Sequence, residues 1–170
     1  MADEMLPEKN SDQTKTAVGP DVETVIVAED SDPNRQILCL LLRKLGFAVI
    51  ECRDGALAWQ ALEASFKAES RRNVVAVVSD LMMPNMDGME FLRRVRNQAT
   101  DEFSKDGESK GFNTAKLPFV LVTAVSDKDY VFEAKSLKVD GYILKPVTYK
   151  RVAAKMQDLF PARKFPPMAA

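Results

Sequence analysis

The sequence predicts an α/β protein: five βα units whose parallel strands form one sheet with helices on both faces. Short, mostly β-branched apolar runs alternate with stretches that carry a 3.6-residue apolar stripe between residues 23 and 160. The runs are almost uniformly apolar, as strands buried on both faces are. Several stop at an acid, a hydroxyl or a lysine, which places those groups along the carboxyl edge of the sheet, where open parallel sheets bind their ligands.

The first strand is Val25-Ile26-Val27-Ala28, which stops at Glu29-Asp30. Asp32 is the expected N-cap of the first helix, with Pro33 at its first position. Ile37, Leu38, Leu41, Leu42 and Leu45 form its stripe, and Gly46 ends it. Ala48 to Cys52 is the second strand, and Ala56 to about Lys67 the second helix, with Leu57, Trp59, Leu62 and Phe66 as candidate core. Val74 to Ser79 is the third strand, followed by Asp80. Gly88 to about Asn97 is the third helix, carrying Met89, Phe91, Leu92 and Val95. Phe119 to Thr123 is the fourth strand, Asp127 to Lys138 the fourth helix, Tyr142 to Leu144 the fifth strand and Thr148 to Phe160 the last helix. Lys145-Pro146 follows the fifth strand directly.

A length of 170 residues, 46% hydrophobic and 29% charged, suits one domain with a sizeable core. Residues 1–21 are polar with little apolar periodicity and read as a flexible arm; 22–160 form the domain, and 161–170 a Pro-rich C-terminal tail too short for an effector. The polar stretch 98–116 exceeds the usual loop of roughly 4–6 residues and is an insertion before the fourth strand. A solvated loop is its simpler reading; a contact surface particular to this chain is the sharper one.

The chain has no histidine. That excludes Ser-His-Asp hydrolases, Cys-His proteases, HExxH metalloproteases and mixed zinc fingers, and leaves carboxylates, lysine and hydroxyls to do any chemistry. With 24 Lys+Arg against 25 Asp+Glu there is no basic excess for direct nucleic-acid binding. The apolar run Ile37–Leu42 is too short for membrane insertion and the polar start does not resemble a signal peptide, so a cytoplasmic location is expected. Cys39 and Cys52 form no CxxC pair and read as buried, reduced thiols.

Glu29 and Asp30, Asp80, Thr123 and Lys145 stand at the ends of four different strands and should converge on one pocket. Three clustered carboxylates repel unless a cation holds them, and an all-oxygen set suits Mg²⁺. A lysine and a hydroxyl opposite such a metal can hold an oxyanion such as phosphoryl.

On these residues the chain resembles the response-regulator receiver family of two-component signalling, over about Glu23 to Phe160. The matching pieces are Val25-Ile26-Val27-Ala28-Glu29-Asp30-Ser31-Asp32-Pro33-Asn34, Val78-Ser79-Asp80-Leu81-Met82-Met83-Pro84-Asn85-Met86-Asp87-Gly88, Leu121-Val122-Thr123-Ala124 and Asp140-Gly141-Tyr142-Ile143-Leu144-Lys145-Pro146. The resemblance implies a flavodoxin-like (βα)5 three-layer sandwich with sheet order 2-1-3-4-5. It implies Asp80 as phosphoacceptor from a histidine kinase or histidine phosphotransfer protein. Asp30, Asp80 and the main-chain carbonyl of Met82 would then ligate Mg²⁺, with Glu29, in place of the commoner Asp, acting through a metal-bound water. Lys145 would neutralise the phosphoryl oxygens through a cis Lys145-Pro146 bond, and Thr123 would hydrogen-bond the phosphoryl group. Thr123 and Tyr142 would then act as the switch, reshaping the face of helix 4, strand 5 and helix 5 toward a downstream protein.

The expected type is stand-alone: a phosphoacceptor signalling protein rather than an enzyme. Lys150, Arg151 and Lys155, outside a Val152, Met156, Leu159 stripe, could serve a partner or a homodimer. Met82 and Val125 are apolar where chemotaxis receivers typically carry polar residues, which implies slow self-dephosphorylation. Two rivals stay open: a receiver-like scaffold without phosphotransfer, and a haloacid-dehalogenase-type phosphatase, because Asp30-Ser31-Asp32 mimics that family's DxD motif.

Overall fold

The computed structural model describes residues 21–67, 72–97, 114–124 and 128–167. Their elements are β1 (Glu23–Ala28), α1 (Asp32–Lys44), β2 (Ala48–Cys52), α2 (Gly55–Ser65), β3 (Asn73–Asp80), α3 (Gly88–Asn97), β4 (Phe119–Thr123), α4 (Lys128–Ser136), β5 (Gly141–Leu144) and α5 (Tyr149–Leu159). All strand pairs are parallel and the order is β2-β1-β3-β4-β5, the expected flavodoxin-like α/β arrangement. The arm up to residue 20, residues 98–113 of the insertion, and Val125 lie outside the described residues.

Strand side chains alternate between faces, and here the alternation fills two separate cores. Val25 and Val27 of β1, with Val78, Val120, Val122 and Ile143, pack against Leu38, Cys39 and Leu42 of α1 and Val152 and Met156 of α5. Ile26 and Ala28, with Val77 and Leu121, pack against Trp59 and Leu62 of α2 and Phe91, Leu92 and Val95 of α3. The result is three layers, helix on sheet on helix. On the second face Phe91 meets Phe119 edge-on, with ring centroids 5.3 Å apart. Arg96 then ties α3 to the turns before β4 and β5. It donates to the carbonyls of Leu117 (2.8 Å), Leu137 (3.2 Å) and Lys138 (3.0 Å) and to Asp140 (2.9 Å).

The cap of α1 and three stripe positions differ from expectation. Ser31 is the N-cap of α1, with no side-chain cap bond, while Asp32 is already helical and bonds Arg35 instead. Ile37 is 47% exposed, because the buried face of α1 runs through Arg35, Leu38, Cys39 and Leu42 and Ile37 lies about 100° around the helix from Leu38. Leu57 is exposed because α2 buries its Ala58, Trp59 and Leu62 side, and Phe66 is exposed because it caps the helix beyond its last packed turn. Both cysteines are buried and free, and burial pushes each thiol up to about 12, so neither is a nucleophile near neutral pH.

The tail is fastened to the body through Arg163, Phe165 and the Pro166 carbonyl. Phe47 is flanked by Phe160 (5.6 Å) and Phe165 (5.8 Å), and the Arg163 guanidinium lies 4.1 Å from the Phe47 ring centroid. Arg163 also donates to the carbonyls of Leu45 (3.3 Å) and Gly46 (3.0 Å) and pairs with Glu23. Tyr149 donates to the carbonyl of Pro166, so this strap runs back along α5 to its first turn. Replacing Arg163 with Ala removes the ring stacking and both carbonyl bonds, a loss of about 1–2 kcal/mol. A thermal melt should show Tm lowered by about 2–8 °C, and an unchanged Tm would show that the strap adds no stability.

Candidate functional site

Register brings the polar strand ends to one edge. Ala28 of β1 pairs with Ser79 of β3, so Glu29 and Asp80 emerge level with each other; Asp80 pairs with Val122 and Thr123 with Leu144. Carboxylate oxygens of Glu29, Asp30 and Asp80 lie within 4.8 Å of one another. Glu29 and Asp80 are buried and Asp30 is exposed, so the cluster has a closed floor and an open side.

Lys145 reaches across from the end of β5. Its Nζ lies 3.0 Å from Asp80 Oδ2 and 3.1 Å from Glu29 Oε2. The backbone N–H of Lys145 donates to the carbonyl of Thr123 at 2.9 Å, and the Lys145-Pro146 bond is cis. Thr123 is buried at the end of β4. Glu29 has its carboxyl raised above the usual range, first by burial and then by the neighbouring Asp80 charge, while Lys145 and the Ser31 N–H oppose the rise. Burial alone would lower the Lys145 ammonium, yet its bonds to Asp80 and Glu29 hold it above the ordinary lysine value. Three carboxylates facing one ammonium leave a net charge of minus two when all are ionised, a surplus that an added cation would relieve.

The loop after Asp80 is held by its neighbours. Leu81 N–H donates to Asp80 Oδ1 at 2.7 Å, and Gly88 N–H returns to the Leu81 carbonyl at 2.9 Å. A Cβ on Gly88 would stand 2.2 Å from the Asp80 carbonyl oxygen, so only glycine lets α3 start this close to the strand end. Asp87 caps α3 through the Glu90 N–H at 2.8 Å. Asp54, buried, caps α2 through the Leu57 N–H and accepts from Asn85 Nδ2, each at 2.8 Å, while Gly55 N–H donates to the Met86 carbonyl at 3.0 Å. Asn85 takes a left-handed φ of 65°, a conformation asparagine tolerates. Met82, within this loop, is 62% exposed.

The chain matches the family model for the response regulator receiver domain over residues 25–157. The chain belongs to the response regulator receiver family. It is 32% identical over 137 residues to the chemotaxis protein CheY of Pseudomonas aeruginosa, covering 80% of this chain and 94% of that protein. The solved structure of chemotaxis protein CheY4 of Vibrio cholerae superposes with a TM-score of 0.65 at 22% identity, covering 81% of this chain and 98% of that one. The receiver domain of a sensor histidine kinase from Pseudomonas aeruginosa superposes with a TM-score of 0.64 at 21% identity over 82% of this chain and 98% of that one; that structure holds a magnesium ion in its active site cleft. The last two show shared fold. Receivers are signalling domains of two-component systems rather than classical enzymes, and no helix among the described residues is long and apolar enough to cross a membrane.

Glu29, Asp30, Asp80 and Lys145 are therefore brought together, and Thr123 stands beside Lys145 on the same edge. Asp32 does not join the acids, because Arg35 holds it and its bond to that guanidinium keeps the carboxyl below the usual range. The DxD reading of Asp30-Ser31-Asp32 loses its second acid in this way. Tyr142 is half-buried, with its hydroxyl donating to the Val131 carbonyl of α4 at 3.2 Å. Sequence reading missed Asp54, Asn85 and Arg35. Asp54 carried a signal, an acid before Gly55 at a helix start; Asn85 depends on a contact 31 positions away, and Arg35 on a bond to a main-chain carbonyl. Replacing Gly88 with Ala should cost on the order of 3 kcal/mol, because the clash falls on backbone that cannot yield. Urea denaturation measures it; a loss below about 1 kcal/mol would mean that the loop relaxes freely.

Proposed function

We propose that Asp80 accepts a phosphoryl group from a phosphohistidine on a histidine kinase or histidine phosphotransfer protein, and that the change is read as altered protein contacts. The observation that carries this reading is the Lys145 ammonium lying within 3.1 Å of Glu29 and 3.0 Å of Asp80. A cation in that place stands ready for phosphoryl oxygens at Asp80. In the transfer an Asp80 carboxylate oxygen forms a bond to phosphorus, and the phosphorus–nitrogen bond to the partner's imidazole breaks. The absent histidine of this chain is supplied by the donor.

The donor set fits Mg²⁺: oxygens only, two of them on buried acids, with an exposed third acid leaving room for water and a phosphoryl oxygen. Asp30, Asp80 and the Met82 main-chain carbonyl would hold the ion, with Glu29 acting through water. When bound, Mg²⁺ offsets charge on the transferring phosphoryl oxygens. Lys145 would likewise offset charge on those oxygens and Thr123 would offer a hydroxyl, and such positioning and charge offset is what phosphoryl transfer requires.

In the phosphorylated form Thr123 turns toward the phosphoryl group and Tyr142 repacks inward, which alters the α4–β5–α5 face. The bond from Tyr142 to the Val131 carbonyl supports this reading, since it joins β5 to α4. Phe132 at 75% exposed and Leu144 at 50% give that face apolar surface for a downstream protein or a second copy. Arg151 is turned to the β5 side, donating to the carbonyls of Leu144 (3.0 Å) and Pro146 (2.8 Å). The strap lies against Tyr149, on another stripe of α5. The receiver domain on this reading spans 22–160.

Incubation with radiolabelled acetyl phosphate and Mg²⁺ should place roughly one phosphoryl group per chain as a hydroxylamine-sensitive acyl phosphate. EDTA or Asp80→Asn should abolish it. Full labelling of Asp80→Asn would overturn the assignment, and no labelling of the parent chain would favour a scaffold without phosphotransfer. Exposed Met82 cannot orient a hydrolytic water, so Met82→Asn should speed acyl-phosphate decay roughly fivefold to tenfold, one hydrogen bond's effect. An unchanged or slower decay would refute that role.

A further inference from the structure

Arg35, in α1, is only 7% exposed, and none of the steps above uses it. Its Nη1 donates to the main-chain carbonyl of Glu29 at 2.9 Å, its Nη2 bonds Asp32, and its Nε lies 3.8 Å from Glu51 Oε2 on β2. The ion pairs do not explain why this guanidinium is buried. Asp32 and Glu51 have side chains 62% and 37% exposed, and an arginine could meet either at the surface. The buried position adds the bond to Glu29.

That bond completes a frame around the first two acids. The Glu29 N–H donates to the Cys52 carbonyl at 3.1 Å, and its carboxylate is held by the Ser31 N–H at 3.2 Å and by Lys145. Its carbonyl is the remaining polar atom, and Arg35 takes it. The same carbonyl belongs to the peptide that leads into Asp30. Among the described residues no hydrogen bond or ion pair holds the Asp30 carboxylate, so its aim depends on the orientation of that peptide. We infer that Arg35 is a positioning residue for the acidic site: by holding the Glu29 carbonyl it sets the Glu29–Asp30 peptide, and with it the spacing of the carboxylates that take up a divalent cation. This rests on the Mg²⁺ reading given above.

The test is Mg²⁺ titration by calorimetry of EDTA-stripped wild type, Arg35→Met, Arg35→Lys and Arg43→Met, with thermal melts of each in the absence of metal. Loss of a group that orients metal ligands weakens binding by about 10–100-fold. Arg35→Met should therefore raise the Mg²⁺ Kd about tenfold or more. Arg35→Lys, which keeps the charge but cannot bridge Glu29 and Asp32 with a fork, should fall between it and wild type. Arg43→Met removes the other guanidinium on Glu51, 2.6 Å away, and should leave the Kd unchanged. A purely structural arginine would lower Tm in Arg35→Met without moving the Kd, and that result overturns the inference. Equal weakening in Arg43→Met overturns it as well, by tracing the effect to Glu51. If Arg35→Met does not fold, Arg35→Lys decides: a weakened Kd supports positioning and an unchanged one refutes it. Wild type without saturable Mg²⁺ binding would instead overturn the metal reading itself, while tight binding by wild type and Arg35→Met alike refutes only the role of Arg35.

Discussion

The interaction on which the site depends is the two-sided contact of the Lys145 ammonium with Asp80 and Glu29. It joins the last strand to the two central ones across β4, which lies between them in the sheet. Without that charge two buried carboxylates would face each other with only one backbone N–H apiece, from Ser31 and Leu81, to offset their repulsion. Burial and the Asp80 charge raise the Glu29 carboxyl even with Lys145 in place. Sheet order, register and the length of β5 all serve to bring one flexible side chain to this point.

Much of the fold was legible because parallel strands buried on both faces leave a plain record: Val25-Ile26-Val27-Ala28 and Phe119–Thr123 can be little else. Polar strand ends were legible for the same reason, since an acid that stops an apolar run stands out. Helix faces were harder. Ile37 and Leu57 are apolar but exposed, because a surplus of apolar residues leaves several ways to draw a stripe and only packing chooses among them. The bonds that aim the site were hidden altogether. Asn85 meets Asp54 across 31 positions, and Arg35 acts through a carbonyl, which has no letter in a sequence.

Two kinds of support therefore meet at the acidic edge. Glu29, Asp80 and Lys145 hold one another by charge, whereas the β3–α3 loop is held by backbone closeness that only Gly88 permits and by caps from Asp54 and Asp87. The first kind strengthens or weakens with any charge brought near it. The second does not, and it gives the charged groups a fixed frame.

The pairing of Glu23 with Arg163 spans 140 positions and joins the first strand to the strap that follows the last helix. The start of β1 and the strap after α5 consequently share one corner of the domain. A body with that geometry can be spliced into a loop of another protein, or circularly permuted by a short linker between the two ends, without prising its sheet apart. The carboxyl edge of the sheet would stay clear of the join in either case, because Glu23 opens β1 at the amino edge.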